Sequence, residues 1–241
     1  MAQALVPLKD LVQAKSRLSG LLRPSERRAL AQAMIEDVLA VLASHREIDR
    51  VTLVSDDPGA GLLAGKYAID CWTERSLGCC GLNAVVERAS ERLLAAAGDQ
   101  PLVVLHGDLP LLSAQDISAV LKCQRHGGGL VIGCDRHGRG TNLLAFNATS
   151  VPRFCFGVDS CARHLAYARE AGVPVQVLQR PGIALDVDEP DDVAEFMVAP
   201  DTNGAGQTFE LLQGTPLGVR VELALATLGD KGGHGNTRKA N

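Results

Sequence analysis

The sequence predicts an α/β fold, a mainly parallel sheet flanked by helices. Three observations predict it. Short apolar runs alternate with stretches of helical periodicity along most of the chain. The 241 residues are 46% hydrophobic, enough for one core of ordinary size. Carboxylates and cations gather just beyond the apolar runs, where open α/β sheets bind their ligands.

Taken in order, residues 4–8 (ALVPL) read as a short strand before a basic loop. Residues 25–45 read as a helix with Leu30, Met34, Val38, Val41 and Leu42 on one face. Residues 50–55 (RVTLVS) read as a buried strand ended by the turn signal DDPG, and residues 68–72 as a weaker strand. Residues 82–98 are amphipathic through Leu82, Val85, Val86, Ala89 and Leu93, with Gly98 as the stop. Residues 101–108 (PLVVLHGD) are the clearest strand. Ser113 and Asp116 have capping-box spacing and open a helix. Strands follow at 130–135 and, after a Gly-rich turn, at 142–146. A helix over 160–172 has Ser160 at its N-cap position, a strand covers 173–178, and a helix over 190–197 has Pro190 in its first turn. Beyond residue 200 the pattern decays. The expected organisation is one domain over 1–200 and a partly flexible C-terminal extension over 201–241. Within it, DTNGAGQ has linker composition, VRVELALATL can form a strand or a helix, and 229–241 resembles a tail. A chain stopped near Pro200 is expected to remain folded and active.

Composition excludes several classes. Aromatics are 3% of the chain, too few for base-stacking platforms, and a formal charge of −4 argues against a polyanion binder, so no nucleic acid is expected. No apolar run reaches the length of a membrane span. The start, MAQALVPLKD, lacks a secretory pattern. The seven cysteines are odd in number and form no CxxC pair; reduced, packed thiols are expected, and with them a cytoplasmic location.

Asp108 stands where the clearest strand ends, and Asp186 and Asp188 are two apart in LDVDEP. Each alone is compatible with turn chemistry. Alternation in an extended chain puts Asp186 and Asp188 on one side with Val187 toward the core. Three converging carboxylates repel unless a cation joins them, and an all-oxygen set favours Mg²⁺. Opposite charge comes early, from Lys9, Lys15 and Arg17 in the loop after the first strand. Two segments suit an anion. GRGTN offers mobile backbone, the Thr141 hydroxyl and the Asn142 amide; FGVDS leads through Gly157 into a helix start at Ser160. Capping is the commoner role for such a serine, and packing the commoner role for His164 one turn on.

Together VPLKDLVQAKSRL, Leu82-Asn83, GDLPLL, GTN, FGVDS…H and LDVDEPDD resemble, in order, the 2-phospho-L-lactate guanylyltransferase family of coenzyme F420 biosynthesis. The resemblance covers about residues 4–198. It implies a Rossmann-like nucleotidyltransferase fold, and transfer of GMP from GTP to a small phosphorylated carboxylic acid with release of pyrophosphate. Family members differ in that acid: 2-phospho-L-lactate, phosphoenolpyruvate or 3-phospho-D-glycerate. By the family pattern, Asp108, Asp186 and Asp188 bind Mg²⁺, Thr141, Gly157 and Ser160 hold the acid's phosphate, and Lys9 and Lys15 meet the GTP phosphates. Asn83 is a candidate for reading guanine, although helix-start chemistry explains it equally well. The GxGxR phosphate loop of the wider fold is missing after the first strand, which favours this family over the molybdenum-cofactor enzymes. A different acceptor, such as a molybdenum pterin or sugar phosphate, and a non-catalytic nucleotide-binding module are the competing readings. The resemblance leaves open a homodimer and a hand-off of product to the next enzyme of the pathway.

Overall fold

The computed structural model describes residues 1–11, 14–200 and 206–233. A seven-stranded sheet forms its centre, in the order β3-β2-β1-β4-β6-β5-β7. The strands are β1 (Ala2–Pro7), β2 (Ile48–Val54), β3 (Asp70–Trp72), β4 (Leu102–Leu105), β5 (Leu130–Cys134), β6 (Thr141–Phe146) and β7 (Val175–Leu178). The helices are α1 (Pro24–Ser44), α2 (Ala60–Tyr67), α3 (Glu74–Leu77), α4 (Leu82–Ala97), α5 (Ala114–Gly127), α6 (Ser160–Glu170), α7 (Pro181–Ala184), α8 (Pro190–Val198), α9 (Gln207–Leu212) and α10 (Pro216–Gly233). All pairings are parallel except those of β6, which runs against both β4 and β5.

That reversal positions the site. Ligand-bearing groups of a parallel sheet collect at the carboxyl ends of its strands. Because β6 is turned round, its beginning lies at the same rim: Leu143 pairs with Leu105, and the His106 N–H donates to the Asn142 carbonyl at 3.0 Å. Asn142 thereby stands beside His106, and Thr141 comes to the same rim.

The period-two alternation of the strands builds two layers. Ala4, Val6, Val103 and Leu105 face α1, α2 and α5. Leu5, Leu102 and Val104 face α4 and α6. Each fully buried valine or leucine among them stabilises by about 1.5–3 kcal/mol. A third cluster lies at one end of α1. Leu18, Leu185 and Val187 meet Leu30, Met34, Val193 and Phe196 there, with Phe209, Leu212 and Val221 from α9 and α10. Both loops that carry the acidic and basic groups are therefore anchored in one apolar cluster.

Several elements differ from their sequence expectation. The boundary expected at residue 200 cuts through the third cluster. Phe209 packs on Phe196 with ring centroids 4.5 Å apart, and Asp37 of α1 accepts from the Gln207 and Thr208 N–H groups that open α9. Arg220 donates to the Leu21 carbonyl and pairs with Glu26. The segment VRVELALATL is helical. Residues 201–205 of the expected linker and 234–241 of the expected tail lie outside the described residues. The DVD segment is not a strand end: residues 185–188 belong to no strand or helix and follow the short α7. Asp159, not Ser160, is the N-cap of α6, in a left-handed conformation with φ 52°. Two of the seven thiols are not free. Cys134, at the end of β5, is bonded to Cys161 in the first turn of α6, their Cα atoms 6.2 Å apart. Their separation of 27 residues gives no sequence signal, since helix and strand meet through packing of Cys161 and Ala168 on Leu130, Ile132 and Cys134.

Candidate active site

The site begins where β1 ends. The chain leaves the sheet at Pro7, and the Leu11 N–H is caught by Asp57 at 2.9 Å. Lys15 takes a left-handed conformation (φ 57°) that turns the chain into a short 3₁₀ helix, Ser16–Gly20, whose Leu18 is buried. This geometry sends the Lys15 side chain inward. Its Nζ donates to Asp108 Oδ2 at 2.6 Å and to Asp188 Oδ1 at 2.7 Å.

Asp108 follows β4 by three residues and Gly107 by one. A Cβ at Gly107 would stand 2.6 Å from Ile35, so glycine lets this loop pass close over α1. The acidic loop is fixed from three sides. The Val187 N–H donates to the Asp108 carbonyl at 3.2 Å. Asp192, in the first turn of α8, accepts from the Asp188 and Glu189 N–H groups at 2.9 and 2.7 Å. Asn142 donates its amide to Asp186 Oδ1 at 3.0 Å and to the Ile183 carbonyl at 2.9 Å. Val187 is buried, while Asp186 and Asp188 are half-buried.

Charge follows from this packing. Burial pushes the Asp186 carboxyl up, and the neighbouring Asp108 and Asp188 charges push it further. Burial works in the same direction on Asp108, but the Lys15 ammonium, with His106 and the Lys15 hydrogen bond, holds its carboxyl below the usual value. Burial opposes the charge on Lys15 too; Asp108 and Asp188 outweigh it and raise its pKa.

Among the described residues no three His, Cys, Asp or Glu side chains stand closed on a metal position. The reason is visible: Lys15 lies between Asp108 and Asp188, and Asn142 holds Asp186. The donor set nevertheless fits a hard divalent cation. It is all oxygen, and Asp108 Oδ1 is buried without a hydrogen-bond partner.

The other cations sit nearer solvent. Lys9 is exposed at the mouth of a cleft of about 530 Å³, lined also by Lys15, Leu82, His106, Asp108 and Asp188. Arg17 is exposed and donates to Glu189 at 3.0 Å.

The second half of the rim is a neutral network. The Thr141 N–H donates to Ser160 Oγ at 2.8 Å. His164 Nε2 accepts from the Cys155 N–H at 3.1 Å, so its proton sits on Nδ1, which donates to Thr141 Oγ1 at 3.0 Å. The Thr141 hydroxyl proton stays free to donate. Burial, reinforced by Arg163, lowers the His164 pKa to about 4, so the ring is neutral near pH 7. Gly157 is exposed with φ 121°, a conformation open to glycine. Of the first N–H groups of α6, those of Ser160, Cys161 and Arg163 already donate to the carbonyls of Gly157, Arg139 and Asp159.

The structure thus brings Lys15, Asp108 and Asp188 into direct contact, with Asp186 beside them, and gathers Thr141 with Ser160. Asn83 uses both ends of its amide on Phe156, accepting from its N–H at 2.8 Å and donating to its carbonyl at 3.3 Å. It pins the loop before Gly157. Asn142, read as part of an anion cradle, holds Asp186. Two residues were missed. Asp192 is indistinguishable in sequence from the acids around it. His106 lines the cleft with its ring tilted on Phe156 at 5.3 Å, its Nε2 buried without a partner. It continues the apolar face of Leu102 and Val104, and a polar ring on that face was the available signal.

Carboxylates and a buried lysine at the rim of such a sheet fit the chemistry of a nucleotidyltransferase. Solved structures agree on the fold. A putative nucleotide-diphospho-sugar transferase from Desulfovibrio desulfuricans G20 superposes with a TM-score of 0.75 at 18% identity, over 93% of this chain and 99% of that one. A CMP:2-keto-3-deoxy-manno-octonic acid synthetase complexed with CTP superposes at 0.52, with 13% identity, over 81% and 97%. The chain belongs to the family described as Guanylyl transferase CofC like, which matches residues 2–224. Among its relatives are a phosphoenolpyruvate guanylyltransferase of Conexibacter woesei, 40% identical over 87% of this chain and 94% of that protein, and a 3-phospho-D-glycerate guanylyltransferase of Phenylobacterium zucineum, 36% identical over 83% and 91%.

Proposed function

We propose that this enzyme transfers GMP from GTP to a small phosphorylated carboxylic acid and releases pyrophosphate, as a step in making coenzyme F420. Phosphoenolpyruvate is the first acceptor to test, because that acid names the C. woesei relative; 3-phospho-D-glycerate and 2-phospho-L-lactate follow. The observation that carries the reading is the contact of Lys15 with Asp108 and Asp188 at the mouth of the cleft, with Asp186 alongside.

A phosphate oxygen of the acid attacks the α-phosphorus of GTP in line with the departing pyrophosphate. The phosphate monoester has a second pKa of about 6, so it is ionised near pH 7 and needs no general base. Lys9 and Lys15 neutralise the charge gathering on the phosphates, while Arg17 stays on Glu189 at the surface, and Thr141, Gly157 and Ser160 orient the acid. Asp108, Asp186 and Asp188 would hold Mg²⁺, which supplies charge neutralisation at the reacting phosphate when bound. Asn142 and Asp192 keep the carboxylates in place. A cytoplasmic location belongs to this reading, and so does a second enzyme that consumes the activated product at once.

The test is a single assay: purified protein, GTP and Mg²⁺ with each of the three acids, following pyrophosphate and the guanylylated product. Product with one or more acids supports the reading. GTP binding without pyrophosphate from any of them overturns it in favour of another acceptor or a binding module.

A further inference from the structure

Lys15 is placed where a cation bound by Asp108 and Asp188 would have to sit. Its Nζ bridges Asp108 Oδ2 and Asp188 Oδ1 at 2.6 and 2.7 Å, so those two oxygens face each other across one nitrogen. The side chain is 7% exposed, and its backbone is held in a left-handed conformation that orients it inward. Mg²⁺ needs carboxylate oxygens at about 2.0–2.1 Å and a near-octahedral shell. An ammonium and a divalent cation cannot share the space between the same two oxygens. Lysine suits exchange: it is a compact point charge on a flexible stem, and the stem opens into the cleft that Lys9 also lines. A buried charge that loses its partner is costly, so Lys15 leaves only where new anions receive it. The phosphates of an incoming nucleotide are such anions; a free metal ion brings none.

Resting on the guanylyltransferase reading for the identity of the nucleotide, we propose that Lys15 is the resident counter-ion of the carboxylate site in the nucleotide-free enzyme. The divalent cation replaces it only together with GTP, whose phosphates then take the ammonium. Two properties follow. Divalent cations bind weakly to the free protein. Metal and nucleotide each strengthen the other's binding, because the nucleotide receives the group the metal displaces.

The test measures Mn²⁺ binding by electron paramagnetic resonance, with no acid and no turnover, in the wild type and in Lys15→Met. The α,β-methylene analogue of GTP serves as the uncleavable nucleotide. In the absence of nucleotide, Lys15→Met is expected to bind Mn²⁺ at least about tenfold more tightly than wild type, the gain expected when a competing counter-ion is removed. The analogue should tighten Mn²⁺ strongly in the wild type and little in the variant. Equal or weaker Mn²⁺ binding by nucleotide-free Lys15→Met overturns the exchange and leaves Lys15 beside the metal. Should that variant not fold, the ¹⁵N signal of the Lys15 ammonium in the wild type decides. It should persist with Mg²⁺ alone and shift with Mg²⁺ plus the analogue; a signal unmoved by both overturns the proposal. A wild type that exchanges Lys15 but guanylylates no acid would cost the acceptor reading and keep this one.

Discussion

The two halves of the rim use opposite chemistry. The half at β1, β4 and the acidic loop is charged, with Lys15 buried against Asp108 and Asp188. The half at β6 and α6 is neutral, a chain of hydrogen bonds from the Thr141 N–H to Ser160 and from His164 to Thr141. The charged half is held by groups that a ligand must rearrange. The neutral half is satisfied internally and presents a shape that is already set. A site that joins a polyphosphate to a smaller anion gains from this division, since only one side has to exchange counter-ions.

The largest effect expected of that comparison is in the charged half. Asp108→Asn and Asp188→Asn should each lower turnover by about a hundredfold or more, the scale of a lost electrostatic contact to the transition state. The fold should persist, since both groups lie outside the sheet. Steady-state rates beside thermal melting check this, and near-wild-type turnover in both variants would break the charged half as drawn.

A smaller effect is expected across the rim. Ser160→Ala leaves the buried Thr141 N–H without an acceptor, and Thr141→Val removes a hydroxyl; each such loss costs about 1–3 kcal/mol. The apparent KM for the acid should rise about tenfold to a hundredfold by that measure, while GTP affinity by calorimetry stays unchanged. If these variants weaken GTP as strongly as Lys15→Met does, the two halves are one site.

His164 sharpens the neutral side through pH. Its folded pKa of about 4 lies below the ordinary 6.5. Its contribution is full above pH 6.5. As pH falls toward 4 the unfolded chain takes up the proton and the folded chain does not, so stability is lost, by about 1.4 kcal/mol per pH unit. Denaturant titrations from pH 7 to 4 should show a shallower decline in His164→Gln than in wild type. Identical slopes would show that His164 is not the neutral centre of the network.

Arg17→Ala is expected to do least. Its ion pair with Glu189 is exposed, and such pairs contribute little. Turnover should change by less than about threefold, the scale of a weak surface pair. A larger loss at unchanged melting temperature would bring Arg17 onto the phosphates.

Much of the fold was legible because strand runs such as PLVVL and amphipathic stretches such as residues 82–98 carry their periodicity locally. Asp108 was legible because an acid directly after a buried strand breaks an apolar pattern. The support was not. Asp192 and Asn142 act across 4 and 44 residues on Asp188 and Asp186, and neither distance leaves a pattern. The extension past residue 200 misled because its linker-like start hides Phe209, Leu212 and Val221, whose partners include Leu18, Leu30, Met34, Val193 and Phe196, all distant in sequence.

The sequence by itself determined the alternating elements, the family, and the residue types at the rim. Those follow from local periodicity and from motifs in a fixed order. Only the tertiary structure decided that β6 runs backward, bringing Thr141 and Asn142 to the rim that carries His106 and Asp108. It also decided that Cys134 meets Cys161, that Asn83 clamps Phe156, and that Lys15 sits between two carboxylates. Each of these depends on which distant surfaces pack together, and packing is set by the whole core rather than by any window of the chain.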